Sequence, residues 1–423
     1  MTGIVVSILL LILIYIFVAF GKLEVALIAL LGAVAALELR LINQDLAFGA
    51  IDWNTIFLLI GMMMMVGVMK RTGIFQYVAI KSAKLARGNP FLIIIFLSVA
   101  TAVLSAFLDN VTTVLVVAPV TILIADSLEL DAMPLLICEV LASNIGGTAT
   151  LIGDPPNIMI GSAANLSFND FITNLAPGVI IVFIVIIGFM LLLFRSSLTV
   201  KPELKSNIME LDEKKSITDI RRARICLAVF TLTLTGFVLH DLLHLKPATI
   251  ALTGAVIIVF LTRTSIEQIF KEIEWSTIFF FIGLFIVVAA VNEQGIFTIL
   301  SDKLFNITGG DITLLALAIL WISAFAAAFV GAVPFVATMI PFLHGIIAQS
   351  PHGGFVLWWA LALGACLGGN GTLTGSAANM VVAGIARQHG MTLSYRFYLK
   401  YGLPAMIISL VISTLYVVVR YLR

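Results

Sequence analysis

The sequence predicts an all-α polytopic membrane protein made of two inverted-topology repeats, each with about five transmembrane helices, a re-entrant hairpin and a broken helix. Hydrophobic residues make up 61% of its 423 positions and charged residues only 11%, whereas a soluble protein carries about 25% charge. Apolar runs of roughly 17 to 20 residues recur along the chain, long enough to cross a hydrocarbon core of about 30 Å as helices. The third observation is an internal duplication.

The second half of the chain aligns with the first half without a gap at an offset of 222 positions (273 − 51). The matched positions include Ile51-Asp52-Trp53 with Ile273-Glu274-Trp275, Gly61 with Gly283, Gly73-Ile74-Phe75 with Gly295-Ile296-Phe297, Pro119 with Pro341, Gly146-Gly147 with Gly368-Gly369, and Asn157 with Asn379. A duplicated membrane segment whose copies are both interrupted by Gly and Pro is typical of a secondary transporter. Its solute is expected to bind where the two copies meet.

Repeat one is predicted to cover residues 1–195 and repeat two residues 225–423, with a charged linker over residues 196–224. The elements of repeat one are helices near 4–20, 24–43 and 53–70, a basic loop from Lys70 to Arg87, two hairpin arms near 91–107 and 111–127, an interrupted helix near 133–164, and a last helix near 176–195. Repeat two follows the same order. If each hairpin enters the membrane and returns on the same side, each repeat crosses an odd number of times, which inverts the second repeat.

The basic residues predict the orientation of the chain. Most of its 24 Lys and Arg residues fall on the side that carries the linker, and such an excess marks the cytoplasmic side. The linker is therefore expected in the cytoplasm and both termini outside, in the cell (inner) membrane. The first apolar run lacks a basic leader, so a first helix is expected rather than a signal peptide. A net charge of +1 gives no indication of nucleic-acid binding.

The cysteines and histidines predict neither a metal site nor a cofactor. Cys138, Cys226 and Cys366 lie far apart in apolar segments, without the spacing of a disulfide framework or a metal site. We expect them to be small packing residues. His240 and His244 stand four apart near the end of a helix, where an interfacial helix face is favoured over metal binding.

A polar tip, Asp109 and Asn110, separates the two apolar arms of the first hairpin. An ionisable group at membrane depth costs several kcal/mol unless it is paired, hydrated or protonated, so Asp109 is a candidate proton or cation carrier. The alternative is that it only caps the second arm. Repeat two has Gly331-Ala332 here, so a carboxylate function would be one-sided. Glu139, matched by Leu361, is a candidate proton relay or a helix-end carboxylate.

Two matched breaks, Ser143 to Asn157 and Leu367 to Asn379, interrupt apolar stretches, the first with three glycines and two prolines and the second with glycines. Unwound backbone at membrane depth is tolerated only where it is buried in protein or lines a wet cavity. Asp154 and its counterpart Ser376 are predicted N-caps, and Asp154 is also a coupling candidate. The breaks offer hydroxyls and amides to a polar solute from Asn144, Thr148, Thr150, Asn157, Asn370, Thr372, Thr374 and Asn379.

The tip AFLDNVTT, the break SNIGGTATLIGDPPN and the segment PFVATMIP resemble the ion-transporter superfamily, in particular its arsenite-efflux permease and P-protein-like branch. The resemblance implies two re-entrant hairpins, two broken helices and a site between the hairpin tips and the breaks. By the match of these motifs, the resemblance implies a first site formed by Asp109, Asn110, Thr112, Asn144, Gly147, Thr148 and Asp154. It implies a second site formed by Asn370, Thr372 and Asn379. It also allows a homodimer, and a soluble ATPase subunit as a partner.

The charge of the site residues favours one substrate class. The tips and breaks contain no Lys or Arg, whereas Asp109 and Asp154 bring negative charge. Two like charges a few ångströms apart repel by about 4 kcal/mol at an effective dielectric near 20, which disfavours a dianion unless cations screen it. With the resemblance, this predicts arsenite and antimonite efflux coupled to proton antiport, with Asp109 or Asp154 carrying the proton, and hence arsenical resistance.

Three other functions would use parts of the same pattern. A sodium/proton antiporter would use the same carboxylates, and a sodium-coupled organic anion carrier would need bound cations. A membrane aspartyl enzyme would need a Gly-x-Gly-Asp site, and Leu151-Ile152-Gly153-Asp154 lacks its first glycine. Because duplicated breaks have no role in such an enzyme, the sequence predicts a transporter and no catalytic residue.

Overall fold

A computed structural model describes residues 2–20, 24–349 and 354–422, and all regular structure in these residues is helical. Within them, nine helices are long and apolar enough to cross a membrane. The predicted fold class, an all-α polytopic membrane protein, is confirmed.

Repeat one contains α1 (Thr2–Phe20), α2 (Val25–Glu38), α3 (Gln44–Gly49), α4 (Trp53–Arg71), α5 (Ile74–Leu85), α6 (Pro90–Phe107), α7 (Asn110–Ser127), α8 (Ala132–Gly147), α9 (Pro155–Ala164), α10 (Phe168–Asn174) and α11 (Ala176–Leu193). The linker holds α12 (Asn207–Glu210). Repeat two contains α13 (Ile220–Leu243), α14 (Pro247–Thr262), α15 (Ile266–Phe270), α16 (Trp275–Glu293), α17 (Ile296–Thr308), α18 (Ile312–Val330), α19 (Ala332–Gln349), α20 (Phe355–Gly368), α21 (Ala377–Gln388) and α22 (Tyr395–Tyr421).

The predicted basic loop from Lys70 to Arg87 is wrong, because most of it forms α5. Its buried residues, among them Ile74, Ala79 and Ala83, recur along one face of the helix, as in any surface helix that packs on a core. The basic side chains between these residues were given more weight than the apolar face, so a loop was predicted instead of a helix.

The two repeats pack in a crossed arrangement. Helix α4 of repeat one lies against α14, and α16 of repeat two lies against α2. Both contacts require a glycine: a Cβ on Gly61 would lie 2.7 Å from the carbonyl carbon of Ala251, and one on Gly283 would lie 2.5 Å from that of Ala29. The two glycines are 222 positions apart, and so are the two alanines. The same close approach is therefore built twice.

Equivalent helices of the two repeats point in opposite directions. Asn54 at the start of α4 and Pro247 at the start of α14 line one cavity. Arg71 and Arg263, at the ends of these helices, line another. The two helices are therefore parallel. Helix α16 is the counterpart of α4, and Arg71 at the end of α4 forms a 2.9 Å ion pair with Glu272 just before α16. Helix α4 therefore ends on the side where α16 starts, and the repeats are inverted.

The first hairpin, α6 and α7, enters and leaves on one side of the protein. This side carries the linker and is here called the linker face; the opposite side is the far face. A Cβ on Gly88, just before α6, would lie 2.7 Å from Cα of Lys205, and Glu129, just after α7, forms a 2.9 Å ion pair with Lys201. The tip between the arms lies inside the protein.

The second hairpin, α18 and α19, enters from the far face. Helix α16 starts at the linker face, beside the Arg71–Glu272 ion pair of 2.9 Å, and α17 follows its opposite end. There the amide of Gln349, the last residue of α19, donates to Oδ1 of Asp302 at 2.8 Å. The tip residue Gly331 has φ +96°, a backbone conformation that suits glycine.

Candidate functional site

The two breaks and the first hairpin tip meet inside the protein and form a buried polar cluster. Asn144, Asn157, Asn370 and Asn379 are at most 1% exposed, and Asp154 is 6% exposed. Buried polar groups need hydrogen-bond partners, so their contacts show which groups hold the fold and which remain for a solute.

Asn157 and Asn379 hold the two breaks in shape. The amide nitrogen of Asn157 lies 3.2 Å from the carbonyl oxygen of Thr148 and 2.9 Å from that of Thr150. The amide nitrogen of Asn379 donates to the carbonyl oxygens of Gly369 at 2.9 Å and Thr372 at 2.8 Å. The donors of both asparagines are therefore used by the carbonyl groups that each broken helix leaves free.

Thr150 and Thr372 attach each break to a hairpin. Their hydroxyls donate to the carbonyl oxygens of Ala106 in α6 and Ala328 in α18, respectively. The hydroxyl of Thr148 donates to the carbonyl oxygen of Asn144 at 2.8 Å. These three predicted solute ligands thus have structural hydrogen bonds.

The breaks also contact each other across the two repeats. The amide nitrogen of Asn144 donates to Oδ1 of Asn379 at 2.9 Å and to Oδ1 of Asn370 at 2.9 Å. In the equivalent contact, Sγ of Cys366 donates to Oδ1 of Asn157 at 3.4 Å. Cys366 is the counterpart of Asn144 at the 222-residue offset. The interpretation of Cys366 as a packing residue is therefore incomplete, and the alignment of the repeats was the signal that could have found it.

Asp154 occupies the N-cap position of α9, yet its side chain makes no cap hydrogen bond. A cap accepts from the second or third backbone N–H of its helix, and Pro156 at the second position has none. Its Oδ1 lies 3.5 Å from the amide nitrogen of Asn110, and its carboxyl group interacts with the Cys366 thiol. Asp154 is therefore the N-cap residue that the sequence predicts, but its side chain does not form the cap hydrogen bond expected there.

Ser376, the counterpart of Asp154, also makes no cap hydrogen bond. Its hydroxyl instead donates to Oδ1 of Asn144 at 3.0 Å. Ser376 is likewise the predicted N-cap residue, and its cap hydrogen bond is absent because the contact with the opposite repeat takes the hydroxyl. At both positions the side chain faces the cluster rather than its own helix.

At the hairpin tip, Asp109 is a true N-cap: its Oδ1 accepts from the backbone N–H of Thr112 at 2.8 Å. The tip side chain that reaches the cluster is Asn110, whose amide nitrogen lies 3.3 Å from Oδ1 of Asn144. Gly147 lies in the break opposite, where a Cβ would be 2.6 Å from the carbonyl oxygen of Gly153.

Glu139 lies outside the cluster, in the middle of α8. It is 1% exposed, and its Oε2 accepts from the Thr121 hydroxyl at 2.7 Å. In the described ranges, no Lys, Arg or His forms an ion pair with Asp109, Glu139 or Asp154. The same part of the chain holds no group of three His, Cys, Asp or Glu side chains that could bind a metal ion.

Two cavities of about 300 Å³ each reach α9 from the far face. One is lined by Leu151 and Ile158 together with His240, and the other by Ser162 together with Asp52. The first of these cavities extends from the far face to Leu151 of the first break.

Residues 15–364 match the family described as citrate transporter. The chain belongs to this family. It is 41% identical over 415 residues to an uncharacterized transporter of Mycobacterium bovis, covering 96% of both chains. It is 33% identical over 493 residues to the human P protein, covering 96% of this chain and 59% of that one.

Among solved structures, the YdaH transporter of Alcanivorax borkumensis, described as having an unusual topology, aligns with a TM-score of 0.61 at 14% identity. The alignment covers 96% of this chain and 97% of that one. The protein is thus a multi-pass membrane transporter of the citrate transporter and P-protein kind, and the predicted resemblance is confirmed.

Proposed function

We propose that the protein exports a small neutral hydroxylated solute, arsenite or antimonite, in exchange for protons by alternating access of its inverted repeats. The observation that carries this proposal is Asp154. It is a buried carboxyl group at the meeting point of the repeats, with neither a cap hydrogen bond nor a cationic partner in the part of the chain that the structure describes. An ionisable group of this kind is expected to serve transport.

The site is chemically suited to a neutral solute. Arsenite and antimonite are trihydroxy species near neutral pH, so they can both donate and accept hydrogen bonds. The amide nitrogen of Asn370 is buried without a hydrogen-bond partner, and the contacts of Asn110 at 3.3 and 3.5 Å are long. These two amides and the Asp154 carboxylate are the groups that a bound solute would contact.

A citrate substrate, suggested by the name of the family, fits this charge distribution less well. Each carboxylate placed about 4 Å from Asp154 would cost roughly 4 kcal/mol at an effective dielectric near 20. Citrate would therefore need bound cations to enter. Sodium/proton antiport is the second candidate, because a carboxylate beside the carbonyl oxygens of an unwound helix is the usual setting for a sodium ion in such folds.

In the proposed cycle, Asp154 binds either a proton or the solute. A solute hydroxyl that donates to Asp154 forms a stronger hydrogen bond with the ionised carboxylate than with the protonated group, so binding of the solute favours release of the proton. The repeats exchange between inward- and outward-facing states when one of the two is bound, and the differential binding couples the fluxes. We assign the proton to Asp154 rather than Asp109, because the latter carboxylate already accepts a cap hydrogen bond.

The orientation follows the same proposal. The linker face would be cytoplasmic and both termini outside, in the cell (inner) membrane, as the excess of basic residues on that face favours. Protons would then reach Asp154 from the far-face cavities, and the solute would arrive from the linker face.

Transport by inverted membrane vesicles tests the proposal. Vesicles that contain the protein are made acidic inside, and uptake of arsenite, antimonite, sodium and citrate is compared, citrate with and without magnesium. We expect accumulation of arsenite and antimonite that a protonophore abolishes and that Asp154→Asn lacks. Accumulation of citrate or sodium without arsenite would instead identify one of the other two functions.

A further inference from the structure

We propose that Glu139 and Thr121 form a second proton-binding station, which carries protons between the solute site and the linker face. This inference rests on the proposed proton coupling. It concerns a pair of side chains that lies outside the cluster of the two breaks.

The pair is buried and incompletely hydrogen bonded. Glu139 is 1% exposed and Thr121 is 0% exposed. The Thr121 hydroxyl donates to Oε2 of Glu139 at 2.7 Å, whereas Oε1 has no hydrogen-bond partner. Burial of an unpaired carboxylate is costly, and a proton on the free oxygen removes the charge.

The pair lies between the solute site and the linker face. Helix α8 begins at Ala132, next to the Glu129–Lys201 ion pair of the linker face. At 1.5 Å per residue, Glu139 is about 10 Å into the helix, and Asn144 of the solute site is about 7 Å further on. A proton that leaves the site toward the linker face therefore passes the depth of Glu139.

Repeat two shows that the fold does not need this polar pair. At the offset of 222 residues, Thr121 corresponds to Leu343 and Glu139 to Leu361. Both leucines are 0% exposed, so the equivalent packing is made by two apolar side chains. The cost of burying a carboxyl group is therefore specific to the linker side of repeat one, which indicates a function there.

Among the residues that the structure describes, no charged group forms an ion pair with Glu139. The helices packed against α8 are α6, α7, α11, α20, α21 and α22. The charged or titratable groups on these helices, their caps and α8 itself are Asp109, Asp126, Asp131, Cys138, Cys366, Arg387, His389, Tyr395, Arg396, Tyr398, Lys400, Tyr401, Tyr416, Arg420 and Tyr421. In the described residues, the hydrogen bonds and ion pairs of Glu139 include none of them. The Thr121 hydroxyl is its polar partner.

The proposed step is a single proton transfer. The proton released by Asp154 on solute binding moves through water to Oε1 of Glu139, which becomes a neutral carboxylic acid that Thr121 still contacts through Oε2. Glu139 then loses the same proton to the linker face, and no other bond changes. Because repeat two has leucines instead, the far side of the path relies on the cavities that reach α9.

The test separates proton-driven transport from exchange. Glu139→Gln, the double variant Thr121→Leu/Glu139→Leu and the exposed-linker control Glu210→Gln are placed in vesicles. We expect proton-driven arsenite uptake to fall by about 100-fold in the first two, as for loss of a positioned proton-transfer group. Exchange of labelled for unlabelled arsenite, which needs no net proton movement, should remain at the wild-type rate.

Proton-driven uptake that persists in Glu139→Gln would overturn the proposal, and so would equal loss of uptake and exchange in a variant that inserts normally. A second measurement does not depend on the solute. Infrared spectra of the purified protein are recorded across a pH titration, and a carboxylic-acid C=O band that titrates in the wild type should be missing from Glu139→Gln. If the wild type does not transport arsenite, the proposed function is wrong, but the infrared band still tests the role of Glu139. A band that titrates identically in Glu139→Gln and the wild type would exclude Glu139 as a proton-binding group.

Discussion

Asn144 and Asn379 lie 235 positions apart in the chain, yet their side chains form a 2.9 Å hydrogen bond in the interior of the protein. Each belongs to the break of a different repeat. Exchange between inward- and outward-facing states moves one repeat against the other. During the transport cycle this hydrogen bond must therefore either break or remain intact as the point about which the repeats move. It joins the two halves at the depth of the proposed site.

We predict that Asn144→Ala destabilises the protein. The change leaves the side-chain oxygens of Asn370 and Asn379 without their donor and removes the acceptor of Ser376. Each buried group left unpaired costs about 1–3 kcal/mol. Thermal unfolding in detergent should therefore begin at a lower temperature than in the wild type. Asn306→Ala, at an exposed position on α17, is the control, and equal unfolding temperatures for the two variants would contradict the prediction.

The two carboxylates of the site should respond differently to amidation. Asparagine caps helices as well as aspartate does, so Asp109→Asn should keep the cap of α7 and retain proton-driven arsenite transport. Asp154→Asn removes the group proposed to bind the proton, so it should abolish proton-driven transport and make exchange independent of pH. The measurement is uptake and exchange in the same vesicles. The opposite result, with Asp109→Asn inactive and Asp154→Asn active, would show that Asp109 rather than Asp154 binds the transported proton.

The sequence predicts the helices, the breaks and the hairpin tips because their signals are local. Apolar length, the glycines around Gly146 and Gly368, and the polar tip at Asp109 each act on the nearby backbone. The side-chain directions were not predictable in this way. Asp154 and Ser376 both stand where caps belong, but Pro156 removes one donor, and Asn144 of the other repeat offers Ser376 a different acceptor. Both effects depend on neighbours that the local pattern does not weigh.

The contacts between distant segments were also beyond local patterns. Glu139 was a candidate on its own, but its pairing with Thr121 depends on how the hairpin arm α7 packs against α8. Cys366 looked like an ordinary small residue of an apolar helix. Its contact with Asn157 follows from the two-fold relation of the repeats. The alignment pairs Cys366 with Asn144, but only the packed structure shows that both residues contact the asparagine of the opposite break.

Cys366 offers a test of what the thiol does. Its contact with Asn157 is that of a hydrogen-bond donor, and a serine hydroxyl at this position would make the same bond. Cys366→Ser should therefore transport arsenite like the wild type, whereas Cys366→Leu should not, because it leaves Oδ1 of Asn157 without its donor and crowds Asp154. Cys226→Ser, at a buried position on α13, controls for the general effect of replacing a buried thiol. Loss of transport in Cys366→Ser alone would show that the thiol itself binds the solute.

The linker is attached to α5 by a hydrogen-bonded ion pair of 2.7 Å between Lys84 and Glu213. The hydrogen bond from Lys84 holds the pKa of the Glu213 carboxyl below its usual range. A lowered pKa in the folded state means that the stabilising contact is complete above the unfolded value of about 4.3. The contact is lost as the pH falls through the lower folded value.

Hydrogen–deuterium exchange of residues 211–216 should therefore be faster in Lys84→Met than in the wild type at neutral pH. The difference should shrink as the pH falls through the lowered pKa of the Glu213 carboxyl in the wild type, below which the glutamate is protonated in both proteins. Lys201→Met is the matched control. It breaks the exposed ion pair with Glu129, with side chains 71% and 61% exposed, and such pairs contribute little. A difference between Lys84→Met and wild type that persists undiminished in acid would show that the 2.9 Å hydrogen bond from Lys84 to the carbonyl oxygen of Leu211 or packing, rather than the ion pair, holds the linker on α5.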